Sequence, residues 1–250
     1  APEALRPLLV AALAGVGRPL LVVTSTYREA ESLTSSLGSV LGADEVAYYP
    51  AWETLPHERL SPRSDTVGRR LTVLRRLAGN DALAAPKIVV APIRAVLQPQ
   101  VAGLGNLLPV TLRVGDEADI DDVARALVDA AYLRVDLVQR RGEFAVRGGI
   151  VDVFPPTLDH PVRVDFFGDT VEEIRPFSVA DQRSLETTLD EVVASPCREL
   201  LLSDDVRLRA LEHAANLEIP QQLGELFERI GNGHAVDGME ALAPALVDRL

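Results

Sequence analysis

Arg163, Asp165 and Phe167 alternate with Val162, Val164 and Phe166, and this run is the part of the chain best suited to molecular recognition. In an extended strand alternate side chains share a face, so the valines and Phe166 form an apolar side and Arg163, Asp165 and Phe167 the other. A guanidinium fork beside a large exposed aromatic is the pairing that dominates protein interface hot spots. Arg147, at the Gly148-Gly149 break in the preceding apolar run, joins that face if a bulge re-aims it. Arg140, Arg141 and Arg175 are near in sequence and widen the candidate patch. Arginine concentrates between residues 134 and 175 although the chain carries a formal net charge of −12, so the region suits an acidic partner. A structural alternative has equal standing from residue types alone: Arg163 pairs across a hairpin with Asp165 or Glu172, and Phe167 covers the turn. For Arg140, Arg141 and Arg175 the structural alternative leads.

Other constellations offer less chemistry. His57 with Glu58, or Ser61 with Asp65, can be drawn as nucleophile and base, yet the sequence supplies no third orienting partner and no oxyanion donor. Cys197 is the single cysteine, and the four histidines (His57, His160, His213, His234) lie far apart, so no metal-ligand spacing exists and no internal disulfide forms. A phosphate loop needs glycines closing in Gly-Lys-Ser/Thr, because backbone amides wrap the phosphates while the lysine and hydroxyl reach phosphate and magnesium. Gly15-Val16-Gly17-Arg18 is the nearest glycine cluster, but it precedes a strand and reads as a helix stop. The acidic balance also disfavours a surface that tracks a phosphate backbone.

The elements that must carry these residues change character along the chain. With 47% apolar residues in 250, the sequence can bury a sizeable core and divide into two compact units. Up to about residue 105 short β-rich runs (20–23, 46–49, 88–91) alternate with helical stretches (28–37, 66–77), the grammar of a parallel sheet with crossover helices. Leu71, Leu74 and Leu77 form the apolar stripe of the second helix, leaving Arg69, Arg70, Arg75 and Arg76 as a solvated face. Pro50, Pro56 and Pro62 make 50–65 an ordered loop. After Pro109 the pattern predicts an acid-started helix over 116–133, capped by Asp119 or Asp121. It then predicts a strand over 144–154 interrupted at Gly148-Gly149, and a hairpin (162–167, 170–177) turning at Gly168-Asp169. Val171 and Ile174, three apart, call for a bulge in the second strand. Helices are expected over 204–216 and 221–230, the second stopped by Gly231 or Gly233. The longest apolar runs fall well short of the ~20 residues a bilayer requires, and no leader opens the chain, so a cytoplasmic location is expected.

Long motifs agree in order with one known family: Ala51-Trp52-Glu53-Thr54-Leu55-Pro56 with Ser61-Pro62-Arg63-Ser64-Asp65-Thr66; the run from Arg141 through Gly148-Gly149-Ile150-Val151-Asp152-Val153-Phe154-Pro155; Pro161 to Asp169 with Glu173-Ile174-Arg175; and the later runs 181–185 and 237–240. Over nearly its whole length the chain resembles the N-terminal UvrB-homology module of bacterial transcription-repair coupling factors and, more distantly, UvrB. The resemblance implies an α/β, RecA-like parallel sheet with helices in two pieces, residues 1–108 (domain 1a) and 195–250 (domain 1b). Between them it implies an inserted α+β domain with antiparallel hairpins, residues 109–194, that docks the excinuclease subunit UvrA. It puts Arg147, Arg163 and Phe167 on the positions that UvrB-like domains use to hold UvrA. It implies a catalytically silent adaptor that imitates UvrB and recruits UvrA to stalled RNA polymerase, with no cofactor of its own. ATP, magnesium, double-stranded DNA and RNA polymerase then belong to the rest of the longer protein, whose motor lies beyond residue 250. In the same alignment Leu5 to Leu13 matches the helix after a phosphate loop, which would set that loop at or before Ala1. Two other classes compete with this reading: a truncated nucleotide-binding or helicase half, and a DNA-binding module using the arginine-rich hairpin.

Overall fold

The computed structural model describes residues 3–55, 58–216 and 220–248, and the chain divides into two compact units, 1–53 with 69–107, and 54–68 with 108–250. The first unit is an α/β layer built from α1 (Arg6–Ala14), β1 (Leu20–Thr24), α2 (Tyr27–Leu41), β2 (Val46–Tyr48), α3 (Ser64–Ala78) from Arg69 onward, β3 (Ile88–Pro92) and α4 (Ile93–Leu97). Its strands pair in parallel in the order β1-β3-β2, with Val22 and Tyr48 both opposite Val90. The centre strand β3 is buried along its whole length, which is why its sequence is a continuous apolar run instead of an alternation. Ala30 and Leu37 of α2 and Ala14 of α1 pack with Val46, Ile88 and Val90. Val73 of α3 packs with Ala47, Tyr49, Val89 and Ala91.

The arginines of α3 do not form a solvated face. Arg69 is exposed, but Arg70, Arg75 and Arg76 are buried, while Leu77 is 44% exposed. Hydrophobicity alone missed this because guanidiniums can be satisfied by carbonyls and aromatic faces. Arg70 lies 4.3 Å from the Tyr49 ring centroid and 5.6 Å from that of Trp52, and its Nη1 donates to Pro50 O at 2.8 Å. Arg75 donates to Asn80 O and faces Asp81 at 3.5 Å; Arg76 donates to Ala84 O and Asp44 O. Gly79, at φ +76°, ends α3 by sending its N–H to Arg76 O and that of Asn80 to Arg75 O. Trp52 N donates to Gln98 Oε1 at 2.9 Å, which fixes the start of the proline-rich loop.

The second unit holds β4 (Val110–Arg113), α5 (Ile120–Asp129), β5 (Leu133–Arg134), β6 (Glu143–Arg147), β7 (Ile150–Val153), β8 (Val162–Phe167), β9 (Thr170–Pro176) and β10 (Glu191–Ala194), then α6 (Asp204–Ala214), α7 (Gln221–Gly231) and α8 (Ala243–Leu246). Strands β5 to β9 form one sheet in chain order; β6 to β9 are antiparallel, and β10 pairs with β4 in a second, two-stranded sheet. The expected single strand over 144–154 is instead a hairpin, because Gly148-Gly149 turns the chain completely, Arg147 lying opposite Ile150. Gly148 has φ +59°, and a Cβ on Gly149 would sit 2.9 Å from Phe166 O. The helix expected over 116–133 is confined to Ile120–Asp129, capped by Asp119, which accepts from the N–H groups of Asp121 and Asp122. Residues 115–118 instead bond to the β9 turn, Ala118 N to Asp169 O and Val171 N to Asp116 O. The register of β8 and β9 slips between Asp165↔Glu173 and Phe166↔Val171, so Glu172 is the extra residue and both Val171 and Ile174 reach the core.

Residues 195–248 fall in the second unit, where Cys197 joins the core below the sheet. The loop carrying Ser61 is tied there as well. Ser61 Oγ donates to Glu240 Oε2 at 2.8 Å and accepts from Arg198 Nη1 and Gly238 N, while Arg198 pairs with the buried Glu240 at 3.1 Å. Ser61 is therefore not paired with Asp65, whose partner is Arg63, and His57 lies outside the described residues. No described helix is long and apolar enough to cross a membrane.

Two outcomes follow from these burials. Arg70→Ala should lower the free energy of unfolding by about 2–4 kcal/mol, against about 0.5 kcal/mol or less for Arg69→Ala, measured by urea denaturation. Burial pushes the Cys197 thiol from its ordinary 9.0 up to about 12. The unfolded chain ionises this thiol first, so its contribution is complete below pH 9 and is lost as pH rises toward 12. Iodoacetamide should leave the folded protein unmodified at pH 8, and the urea midpoint should fall above pH 9 less steeply in Cys197→Ala.

Candidate protein-docking face

Register alone decides which side chains share the outer face of the β6–β9 sheet. Asp152 lies opposite Arg163, and Arg163 opposite Arg175; one pleat further on, Ile150 lies opposite Arg147 and Asp165, and Asp165 opposite Glu173. All therefore point to one side, with Phe167 two residues beyond Asp165. The opposite side is the core: Phe144, Val151, Val153, Val162, Val164, Phe166, Val171 and Ile174 are buried together.

The outer face centres on a carboxylate. Asp152 is fully buried, its Oδ1 accepting from Arg163 Nε at 2.7 Å and its Oδ2 from Arg163 Nη2 at 2.9 Å and Arg147 Nη2 at 2.5 Å. Arg163 is thereby committed inward. Its guanidinium stands 4.8 Å from the Phe177 ring centroid, its Nη1 reaches Gln182 O at 3.4 Å, and its side chain is only 18% exposed. The bonds to Asp152 hold the Arg163 guanidinium above its ordinary pKa, against the opposing effect of burial. Its partner is neither Asp165 nor Glu172 but a residue one strand away, and the expectation that Arg163 faces solvent is corrected accordingly.

Arg147 and Phe167 are the groups on offer. The Arg147 side chain is 47% exposed, and Phe167 is 79% exposed at the edge of the Gly168-Asp169 turn instead of covering it. Arg175 pairs with Glu173 at 3.0 Å and lies 3.7 Å from Asp165. Within this group Asp165 Oδ2, Arg175 Nε and Gln182 Oε1 are buried without hydrogen-bond partners among the described residues, each costing about 1–3 kcal/mol. Arg141 is drawn off to Leu158 O, Asp159 and the Phe154 ring, and Arg140 is exposed at a turn where its own N–H donates to Glu143. The structure thus gathers Arg147, Arg163, Phe167 and Arg175 on one face and assigns Arg141 to the 158–159 turn.

Two residues that organise this face escaped sequence reasoning. Asp152 stood inside the motif Ile150-Val151-Asp152-Val153 without being singled out. A lone carboxylate among β-branched residues was the available signal, since a buried charge demands cations on flanking strands. Gln182 carried no such signal: its backbone is left-handed (φ +61°), and its Nε2 donates to Val138 O and Val179 O, so that the 177–184 segment lies against Arg163.

Adjacent phenylalanines on opposite faces give a sharp stability contrast. Phe166→Ala should cost about 3–5 kcal/mol in urea denaturation, and Phe167→Ala about 0.5 kcal/mol or less.

Comparison with known proteins places this face in a family. Residues 110–200 match the model of the UvrB interaction domain. The chain is 53% identical to a transcription-repair-coupling factor of Mycobacterium tuberculosis over 98% of its own length, 35% identical to one of Myxococcus xanthus over 92%, and 34% identical to one of Bacillus subtilis over 83%. It spans about a fifth of the length of these relatives. The pleated outer face built around Asp152 falls entirely inside the UvrB interaction domain, and the chain belongs to the transcription-repair coupling factors as their UvrB-homology module.

Proposed function

We propose that the chain is a non-catalytic adaptor that docks UvrA on the outer face of the β6–β9 sheet, in the manner of UvrB, and so brings excision repair to RNA polymerase stalled at a lesion. The observation that carries this reading is the exposure of Phe167 on the same sheet face as the half-exposed side chain of Arg147, within the region matched to the UvrB interaction domain. An exposed aromatic on the same face as an arginine already tethered to a carboxylate is the composition of an interface centre. The neighbouring buried polar atoms without partners favour the same reading, because a docked protein can complete their hydrogen bonds after small side-chain movements.

Direct binding to a nucleic-acid backbone fits less well. The chain carries a net charge of −12, and on this face Arg147, Arg163 and Arg175 are matched by Asp152, Asp165 and Glu173. Counterion release from phosphate needs uncompensated cations. ATP hydrolysis, DNA translocation and polymerase contact belong, in this reading, to other parts of the longer relatives.

Biolayer interferometry with purified UvrA tests the proposal. Wild-type chain should bind, and Phe167→Ala and Arg147→Ala should each weaken binding about thirtyfold, or ~2 kcal/mol, while keeping the wild-type circular dichroism spectrum. Absence of wild-type binding at tens of micromolar, or full affinity in both variants, would overturn it.

A further inference from the structure

Arg147 and Arg163 share a single carboxylate, and that geometry has a functional meaning beyond docking itself. We infer that Asp152 is the positioning residue of the docking face: locked by Arg163, it holds the Arg147 guanidinium where an acidic group of the partner meets it. The inference rests on the docking reading above.

The two arginines play unequal parts. Arg163 spends Nε and Nη2 on Asp152 and Nη1 on the Gln182 carbonyl, with the Phe177 ring against its plane. Its bidentate grip fixes both oxygens of Asp152, because the two residues lie directly opposite each other in adjacent strands. Arg147 reaches the same carboxylate diagonally, from the position opposite Ile150 at the end of β6, and spends only Nη2 on it. Its remaining N–H groups belong to a side chain that is 47% exposed, against 18% for Arg163. An arginine left untethered would lose rotamer freedom on meeting a partner; here that freedom has been removed in the free protein.

The charges of the clamp set the ligand class. Two guanidiniums and one buried carboxylate leave the clamp itself one positive charge in excess, balanced over the whole face by the two carboxylates that flank Arg175. One fixed cation with a planar donor edge suits a single carboxylate on a protein surface.

The test is a double-mutant cycle on the whole chain, with UvrA as the probe and binding followed by biolayer interferometry. Wild type, Arg147→Ala, Asp152→Asn and the double variant are compared, each checked by circular dichroism and thermal melting. Asp152→Asn should raise the dissociation rate about tenfold with association changed less than about twofold, and the double variant should bind within about threefold of Arg147→Ala alone. A merely structural Asp152 would instead multiply its loss onto that of Arg147→Ala. That result, or wild-type binding by Asp152→Asn, overturns the inference and leaves the docking reading standing. Should Asp152→Asn not fold, Asp152→Glu keeps the charge while displacing the anchor, and the same non-additivity is required of it. A wild-type chain that does not bind UvrA removes both, and is recognised from its own trace.

Discussion

A carboxylate with no solvent exposure, held in the middle strand of a five-stranded sheet, is the constraint on which the second unit depends. Desolvating a charge is costly unless opposite charge and hydrogen bonds replace the lost water. Asp152 obtains both only if β6 delivers Arg147 and β8 delivers Arg163 at one register. A slip of one residue in either strand would invert every side chain and leave the carboxylate alone in an apolar environment. The charge therefore selects the pairing, as the apolar side does independently through Val151, Val162 and Val164. The tight Gly148-Gly149 turn and the bulge at Glu172 are the local devices that let these two demands agree.

Much of this was readable in the sequence where period and chemistry coincide. The alternation in 162–167 separated the core valines from Arg163 and Phe167, and the three-residue spacing of Val171 and Ile174 announced the bulge later found at Glu172. Strands β1 to β3 were legible as short apolar runs. The failures share a cause, in that residue type does not state what a side chain finds in three dimensions. The stripe of α3 sends Arg70 to solvent because its aromatic and carbonyl partners, Tyr49, Trp52 and Pro50, lie about twenty residues away in a loop. The acidic run 116–119 reads as helix because carboxylates suit a helix start. In the fold its backbone completes a ladder with the β9 turn instead. Arg163 could be placed on the correct face but not given its partner, because Asp152 arrives through strand pairing that no local pattern specifies.

The arginines illustrate how one side chain serves several physical ends. Arg70 lies over two aromatic rings, Arg75 and Arg76 capture carbonyls of loop segments, and Arg163 neutralises an interior charge. Arg147, on the outer face of the sheet, has about half of its side chain exposed while its end is tethered. Net charge describes none of these roles, which is why an acidic protein can still expose a tethered arginine on one sheet face.

The tie between Ser61, Arg198 and Glu240 carries a consequence for biosynthesis. Ser61 and Glu240 stand 179 positions apart, so the polar clasp joins a loop made early in translation to a segment made late. Closing so long a loop is entropically slow, and the early loop has no carboxylate to receive it until Glu240 has left the ribosome. The β6–β9 sheet is complete in the nascent chain well before that moment. The sheet can thus form first, and the clasp closes on it afterwards.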